Sequence, residues 1–378
     1  MPDPYASPTT VTVADVCGAL ERLAPSALAQ SWDNVGLLAG DPAAPVRRAL
    51  LCIDLTPAVV DEAVRRQAGL VVAYHPPLFK PVSRLNAASR GTDAAVFRCI
   101  AHGIAVYSPH TALDAAEGGT NDVLARLCKV RDPKPVEWTE APGEAECKVV
   151  VFVPEAEAEQ VAEAMFAAGA GRIGQYSKCS FRLPGQGTFM GSDESNPTVG
   201  KAGQFETVTE LRLEAVAPES CVPDVLRAIR AAHSYEEPAI DVYPLKRPAA
   251  AGLGRQGRLE PPIQLGALAD RLKRALAANT VQMVGDSQAV VSRAVCLVGA
   301  AGSSVFQTGL RPGDVVVTGE IRHHDALAIG RYGACAIALN HWTSERPALR
   351  PLADRLAVAV PGLQVDLSDA DIEPFRSI

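Results

Sequence analysis

Four short apolar runs in this chain end abruptly in segments rich in histidine and carboxylate, and that recurrence constrains the fold more than any other feature of the sequence. Residues 70–73 run into Tyr74-His75-Pro76-Pro77, and residues 104–107 into Pro109-His110-Thr111-Ala112-Leu113-Asp114. Residues 315–317 run into Thr318-Gly319-Glu320-Ile321-Arg322-His323-His324-Asp325, and residues 334–339 into Asn340-His341-Trp342-Thr343-Ser344-Glu345. Unbroken apolar runs of this length read as strands buried on both faces, the pattern of a parallel sheet covered by helices.

The intervening segments supply those helices. Val16, Leu20 and Leu23 recur at helical spacing from about residue 14, and Pro57 suits the first position of a helix reaching residue 68. Residues 92–102 read as a helix closed by Gly103, and residues 120–128 as another. Residues 1 to about 135 are therefore expected to form an α/β unit with a mostly parallel sheet.

From Lys134 to Ala145 a stretch rich in Pro and Glu breaks this rhythm. The next hundred or so residues follow another order: strand 147–153, helix 155–168, strand 207–216, helix 221–232, strand 239–245. Two helices and several strands in that order suggest a ferredoxin-like α+β insert. A second break, Arg247 to Gly257, is rich in Pro, Ala and Gly, after which a helix at 264–278 and short apolar strands restore the first pattern.

Composition narrows the function classes. With 36 Lys+Arg against 43 Asp+Glu and a net charge of −7, the 378-residue chain lacks the basic footprint that nucleic-acid phosphates require. Its nine Cys form no CxxC pair and mostly sit in apolar runs, as small core residues of a reducing compartment do. The first fifteen residues have neither a basic nor an apolar signal region, and no run approaches eighteen apolar residues, so a soluble cytoplasmic protein is expected.

Of seven His, five (75, 110, 323, 324 and 341) fall just after predicted strands, beside Asp114, Glu320 and Glu345. Strand C-termini are where open parallel sheets bind ligands. Imidazole with carboxylate suits zinc, iron, manganese or nickel, and the absence of Cys from these segments excludes a thiolate-type structural zinc site. Glu345 lies four residues beyond His341, in the first turn of a helix opened by Thr343 or Ser344, so both can reach one ion. Singly, each of these residues has an ordinary reading as a turn or helix-cap residue; together they favour ligation. His102 and His233 sit at helix ends and read as structural.

Ser31-Trp32-Asp33-Asn34-Val35-Gly36-Leu37, Tyr74-His75-Pro76-Pro77-Leu78-Phe79, the 110–114 segment with Gly119-Thr120-Asn121-Asp122, and the 318–345 motifs resemble the Nif-three-like family, whose members are often named GTP cyclohydrolase I type 2. Gly171-Arg172-Ile173-Gly174-Gln175-Tyr176, Cys179 to Arg182, Gly185 to Phe189 and Ala232 to Ala239 resemble the PII-like insert of its longer bacterial members. The resemblance implies a split α/β domain with a parallel-rich sheet, residues 1–138 and 250–378, interrupted by a PII/CutA-like insert at 139–249. It implies two divalent metal ions held at His75, Asp114, His341 and Glu345, with His110 as a ligand or supporting partner and His324 as a proton carrier. Many bacterial relatives carry His-His-Pro where this chain has Tyr74-His75-Pro76, so one imidazole is replaced by a phenol. A ring-shaped homohexamer is implied as well.

Two functions fit these readings. One is a metal-dependent hydrolase acting on a nucleotide-like or other small substrate; no Walker-type loop marks GTP itself. The other is a non-catalytic metal-binding or regulatory scaffold.

Overall fold

The fold was obtained as a computed structural model, and the structure describes residues 10–89, 91–139, 145–245 and 251–376. The chain divides into two compact units, one formed by Met1–Pro142 with Ala249–Ile378 and the other by Gly143–Pro248. Among the described residues no helix is long and apolar enough to cross a membrane.

The first unit is mixed α/β, with two large sheets where the strand–helix rhythm suggests one. In the five-stranded sheet Ala105–Ser108, Leu70–Ala73, Arg48–Cys52 and Gln364–Leu367 lie parallel in that order, and Gly36–Ala39 runs antiparallel beside the first. The six-stranded sheet has a parallel centre of Val290–Ala300, Asp314–Glu320 and Cys335–Ala338. Antiparallel strands flank it: Gln282–Val284 on one side, Arg255–Gln264 and then Val130–Lys134 on the other. Pairing partners are not written into an apolar run, which is why two sheets look like one in the sequence.

Burial on both faces explains why the runs lack alternation. Leu51, Leu70 and Val72 pack with Val13, Val16 and Leu20 of the helix Val13–Leu23 and with Leu352 and Leu356 of Leu349–Ala359. Their neighbours Leu50, Cys52, Val71 and Ala73 point the other way, onto Val59, Val60 and Ala63 of Pro57–Arg65 and Val96 and Cys99 of Thr92–Ala101. Residues 251–257, read as a break, instead contribute to strands: Ala251–Leu253 pairs with Glu137–Thr139, and Arg255 begins its own.

A buried carboxylate fixes the chain after the last strand. Glu62, 1% exposed, accepts hydrogen bonds from Ser368 Oγ (2.5 Å), Asp369 N (3.0 Å) and Ala370 N (2.9 Å) and pairs with Arg66 at 2.8 Å. Burial opposes its ionisation, but these donors and the Arg66 charge outweigh burial and hold its pKa below the ordinary 4.5. A carboxylate whose folded pKa is depressed stabilises above its unfolded value, and that stability is lost as pH falls through the folded value. Glu62→Gln is therefore expected to cost about 2 kcal/mol at pH 7. In urea titrations the gap from wild type should shrink below pH 4.5.

The second unit runs strand Glu146–Pro154, helix Ala158–Ala167, strands Phe181–Met190 and Phe205–Pro218, helix Val222–Ala232, strand Ile240–Pro244. Its sheet is antiparallel, in the order fourth, first, third, second. Val149, Val151, Val153, Leu213 and Ala215 face both helices, meeting Val161, Met165, Val225 and Ile229. The sequence reading omitted Phe181–Met190, whose Pro184, Gly185 and Gly187 look like loop residues. It pairs over ten residues with Phe205–Pro218 and lies at the sheet edge, where proline is tolerated.

Candidate metal centre

Backbone geometry at two strand ends aims the key imidazoles. Beyond Leu70–Ala73 the ladder continues, with Tyr74 N donating to Cys52 O (2.9 Å) and His75 N to Ile53 O (3.0 Å), until Pro76 and Pro77 end the pairing. This fixes His75, whose Nδ1 lies 3.0 Å from Asp54 Oδ1. Beyond Cys335–Ala338 the chain turns at Asn340, which has φ +69° and ψ 152°, a sparsely populated conformation that stores strain at the site. The helix His341–Glu345 follows at once, so it opens at His341 rather than at Thr343 or Ser344, and His341 and Glu345 stand one turn apart.

One ligand atom each from His75, His341 and Glu345 lie within 4.8 Å of one another. Glu345 Oε1 is 3.1 Å from His341 Nε2, and Oε2 is 3.4 Å from His75 Nε2. Glu345 is 2% exposed and its Oε2 has no hydrogen-bond partner, an arrangement that costs free energy unless a cation compensates it. On the far side of each ring a carboxylate sets the orientation: Asp54 for His75 and Glu320, at 3.3 Å from Nδ1, for His341.

The electrostatics agree with the geometry. Burial alone would lower the His75 pKa, but the Asp54 and Glu345 carboxylates outweigh it and push it up to about 10. The Glu345 carboxylate likewise raises His341, and Glu345 itself is lowered by the two imidazoles in spite of its burial. All three directions describe a pocket that stabilises positive charge. Two imidazoles and a buried carboxylate with an orphaned oxygen fit a divalent ion such as zinc, iron, manganese or nickel.

Asp114 and His110 stand beside this group rather than within it. Asp114 is half-buried, and its Oδ1 accepts from the Tyr74 hydroxyl (2.5 Å) and from the Thr120 hydroxyl. Burial raises its pKa to about 6, against the pull of those two hydroxyls. Tyr74 thus supports Asp114 by a hydrogen bond. The His110 ring lies 5.3 Å from that of His75 and 5.4 Å from that of Tyr74. Its Nδ1 is 2.8 Å from Asp33 Oδ1. Asp33 is held down at about 2, since the His110 and Thr111 donors outweigh its burial.

His324 is not drawn into the cluster. It is exposed on the first turn of His323–Arg331, and its ring neighbour is His323 at 5.3 Å.

Sequence reasoning singled out Glu320, which lies behind His341, but missed Asp33, Asp54 and Asp371. Asp33 lies in the 31–37 motif and Asp54 two residues beyond the strand Arg48–Cys52, so position could have flagged both. Asp371 had no such signal. It accepts from Ile53 N (2.8 Å) and Trp342 Nε1 (3.0 Å), fastening the Asp54 turn to the helix that carries His341.

Gly299 closes the pocket from the neighbouring strand. It has φ +60°, and a Cβ there would come within 2.6 Å of Glu345 Oε1 and 3.1 Å of His341 Nε2. Its N–H donates to Ser344 Oγ at 2.8 Å. Gly299→Ala is expected to lower divalent-metal affinity at least about tenfold, read as metal content after dialysis, by displacing ligands without removing one.

A family model described as Duf34/NIF3 (NGG1p interacting factor 3) matches residues 11–374. A "GTP cyclohydrolase 1 type 2 homolog" of Mycobacterium tuberculosis is 42% identical over 351 residues, covering 89% of this chain and 89% of the relative. The protein of the same name from Bacillus subtilis is 33% identical over 359 residues, covering 94% and 95%. The crystal structure of a Bacillus cereus protein related to NIF3 matches with a TM-score of 0.70 at 32% identity, covering 98% of this chain and 99% of that one.

Proposed function

We propose that this chain, which belongs to the Duf34/NIF3 family, is a metal-dependent hydrolase of a nucleotide-like or other small substrate. The observation that carries the reading is the close group of His75, His341 and Glu345 with its buried, unpartnered carboxylate oxygen. A bound divalent ion would supply the Lewis acidity that activates water and polarises the bond to be cleaved.

The residues' part is to hold and orient. His75 and His341 offer Nε2, because Asp54 and Glu320 engage their Nδ1 sides. Glu345 offers one oxygen towards each imidazole. Asp114 and His110, anchored by Tyr74, Thr120 and Asp33, are positioned to serve a second ion, so two ions are part of the proposal. The name borne by the curated relatives points to opening of a purine ring, a hydrolytic reaction within this chemistry.

We further read the second unit as a ferredoxin-like insert, supported by its strand–helix–strand–strand–helix–strand order and its fourth-first-third-second sheet. Assembly as a homohexamer is the accompanying proposal; light scattering should return six chains, and a monomer would contradict it.

The test is to load the purified protein with Zn, Mn or Fe and assay phosphoester, amide and purine-ring hydrolysis, comparing wild type with Asp114→Asn. Activity in one class that the variant loses is the expected result. Equal residual activity in both would leave a non-catalytic metal-binding scaffold as the better reading.

A further inference from the structure

The second unit contains a cavity of about 510 Å³ that the metal centre does not explain. That volume lies in the range of small-molecule sites. It sits on the sheet face opposite the helices: Leu213 and Ala215 point to the helices, so alternation puts Glu210, Arg212 and Glu214 on the other side, with Phe152 across from them.

Two segments wall the cavity from above. In one, Thr198 Oγ1 donates to Ser234 O (2.7 Å) and Asn196 N to Glu236 (3.1 Å), joining residues 195–199 to 234–237. In the other, His233 Nε2 lies 3.0 Å from Phe152 O, and its Nδ1 accepts from Tyr235 N at 3.0 Å. His233, expected to be structural, thus sets the wall that carries Tyr235.

Carboxylates outnumber cations among the charged groups that line it, three to one. Glu210 is 8% exposed, and among the described residues no basic side chain pairs with it. Its carboxylate occupies the space above Gly187, where a Cβ would lie 2.2 Å from Oε2. The Tyr235 hydroxyl is buried beside the Glu210 carboxylate, and burial together with that carboxylate pushes its pKa up. Glu236 and Glu237 add further negative charge at the lining. The lining cation Arg212 is engaged by Glu214 at 3.2 Å and lies over the Phe152 ring at 5.9 Å. A buried carboxylate without a cation is costly, and aromatic walls attract one.

We propose that this cavity binds a small organic cation, an ammonium or guanidinium on an apolar or aromatic body, with its charge at Glu210 and its body against Phe152, Phe189 and Tyr235. The site is independent of the metal centre, since every lining residue belongs to the second unit.

Titration calorimetry on the full chain decides this with three probes of nearly equal shape: phenethylamine, 2-phenylethanol and 3-phenylpropionate. The amine is expected to bind saturably and at least about tenfold more tightly than the alcohol or the acid. Glu210→Gln should remove that preference, and Glu345→Gln should leave it unchanged. The wild-type ranking needs no variant, so a misfolded substitution cannot obscure it. Equal affinity for the three probes, preference for the acid, or no saturable amine binding by about 10 mM, the weakest binding expected of a ligand this small, would overturn the proposal.

Discussion

Glu345→Gln is expected to weaken divalent-metal binding by more than about 100-fold, beyond what loss of a supporting residue costs a metal site. The substitution keeps the shape of the side chain and its burial but removes the charge that both imidazoles face, at 3.1 and 3.4 Å. Hydrolysis by the metal-loaded protein should fall with it, because the same carboxylate anchors the proposed ion. The fold should tolerate the change, since Gln keeps the volume of Glu and its amide oxygen can still accept from one of the two imidazoles. Elemental analysis after dialysis, with far-UV circular dichroism as the control, checks both halves of this expectation.

Arg255→Met carries the largest expected effect on stability, a loss of about 3–5 kcal/mol, because it leaves a buried charge without its partner. Arg255 is 4% exposed. Its Nε and Nη2 hold Asp122 at 2.5 and 2.8 Å, its Nη1 donates to Gly252 O and Gly254 O at 2.7 and 2.8 Å, and Nη2 also donates to Ala116 O at 3.2 Å. All five guanidinium donors are used, a geometry that an ammonium cannot copy, so Arg255→Lys should recover only a small part of the loss. Urea unfolding monitored by circular dichroism measures both variants. The same contacts fasten the segment between the helices His110–Ala115 and Thr120–Cys128 to the strand Arg255–Gln264, and those helices carry Asp114 and Thr120. A modest decline in metal retention by Arg255→Lys would follow from that coupling.

Much of this was legible in the sequence, for identifiable reasons. The strands 70–73 and 104–107 and the helices between them stood out because burial on both faces leaves an unbroken apolar run. The same runs delivered His75, His110 and His341 to sheet ends, since a chain leaving a buried strand must turn polar. Legibility failed where pairing decided structure. Phe181–Met190 is a strand only because Phe205–Pro218 lies beside it, and its Pro and Gly residues concealed it. The partners of the site failed for another reason: Asp371 reaches Ile53 across 318 positions of sequence, and such distances leave no local periodicity. His324 shows the converse, a strand-end histidine that stands exposed on its helix with His323 as its ring neighbour.

The most direct test of the metal centre is X-ray diffraction from crystals of the zinc-loaded protein, with anomalous data collected at the zinc edge. The account predicts an anomalous peak bonded to Nε2 of His75, Nε2 of His341 and the carboxylate of Glu345, with Asp114 and His110 bordering it. No peak at His75, His341 and Glu345 after loading would contradict it, whether or not a second peak appears beside Asp114 and His110.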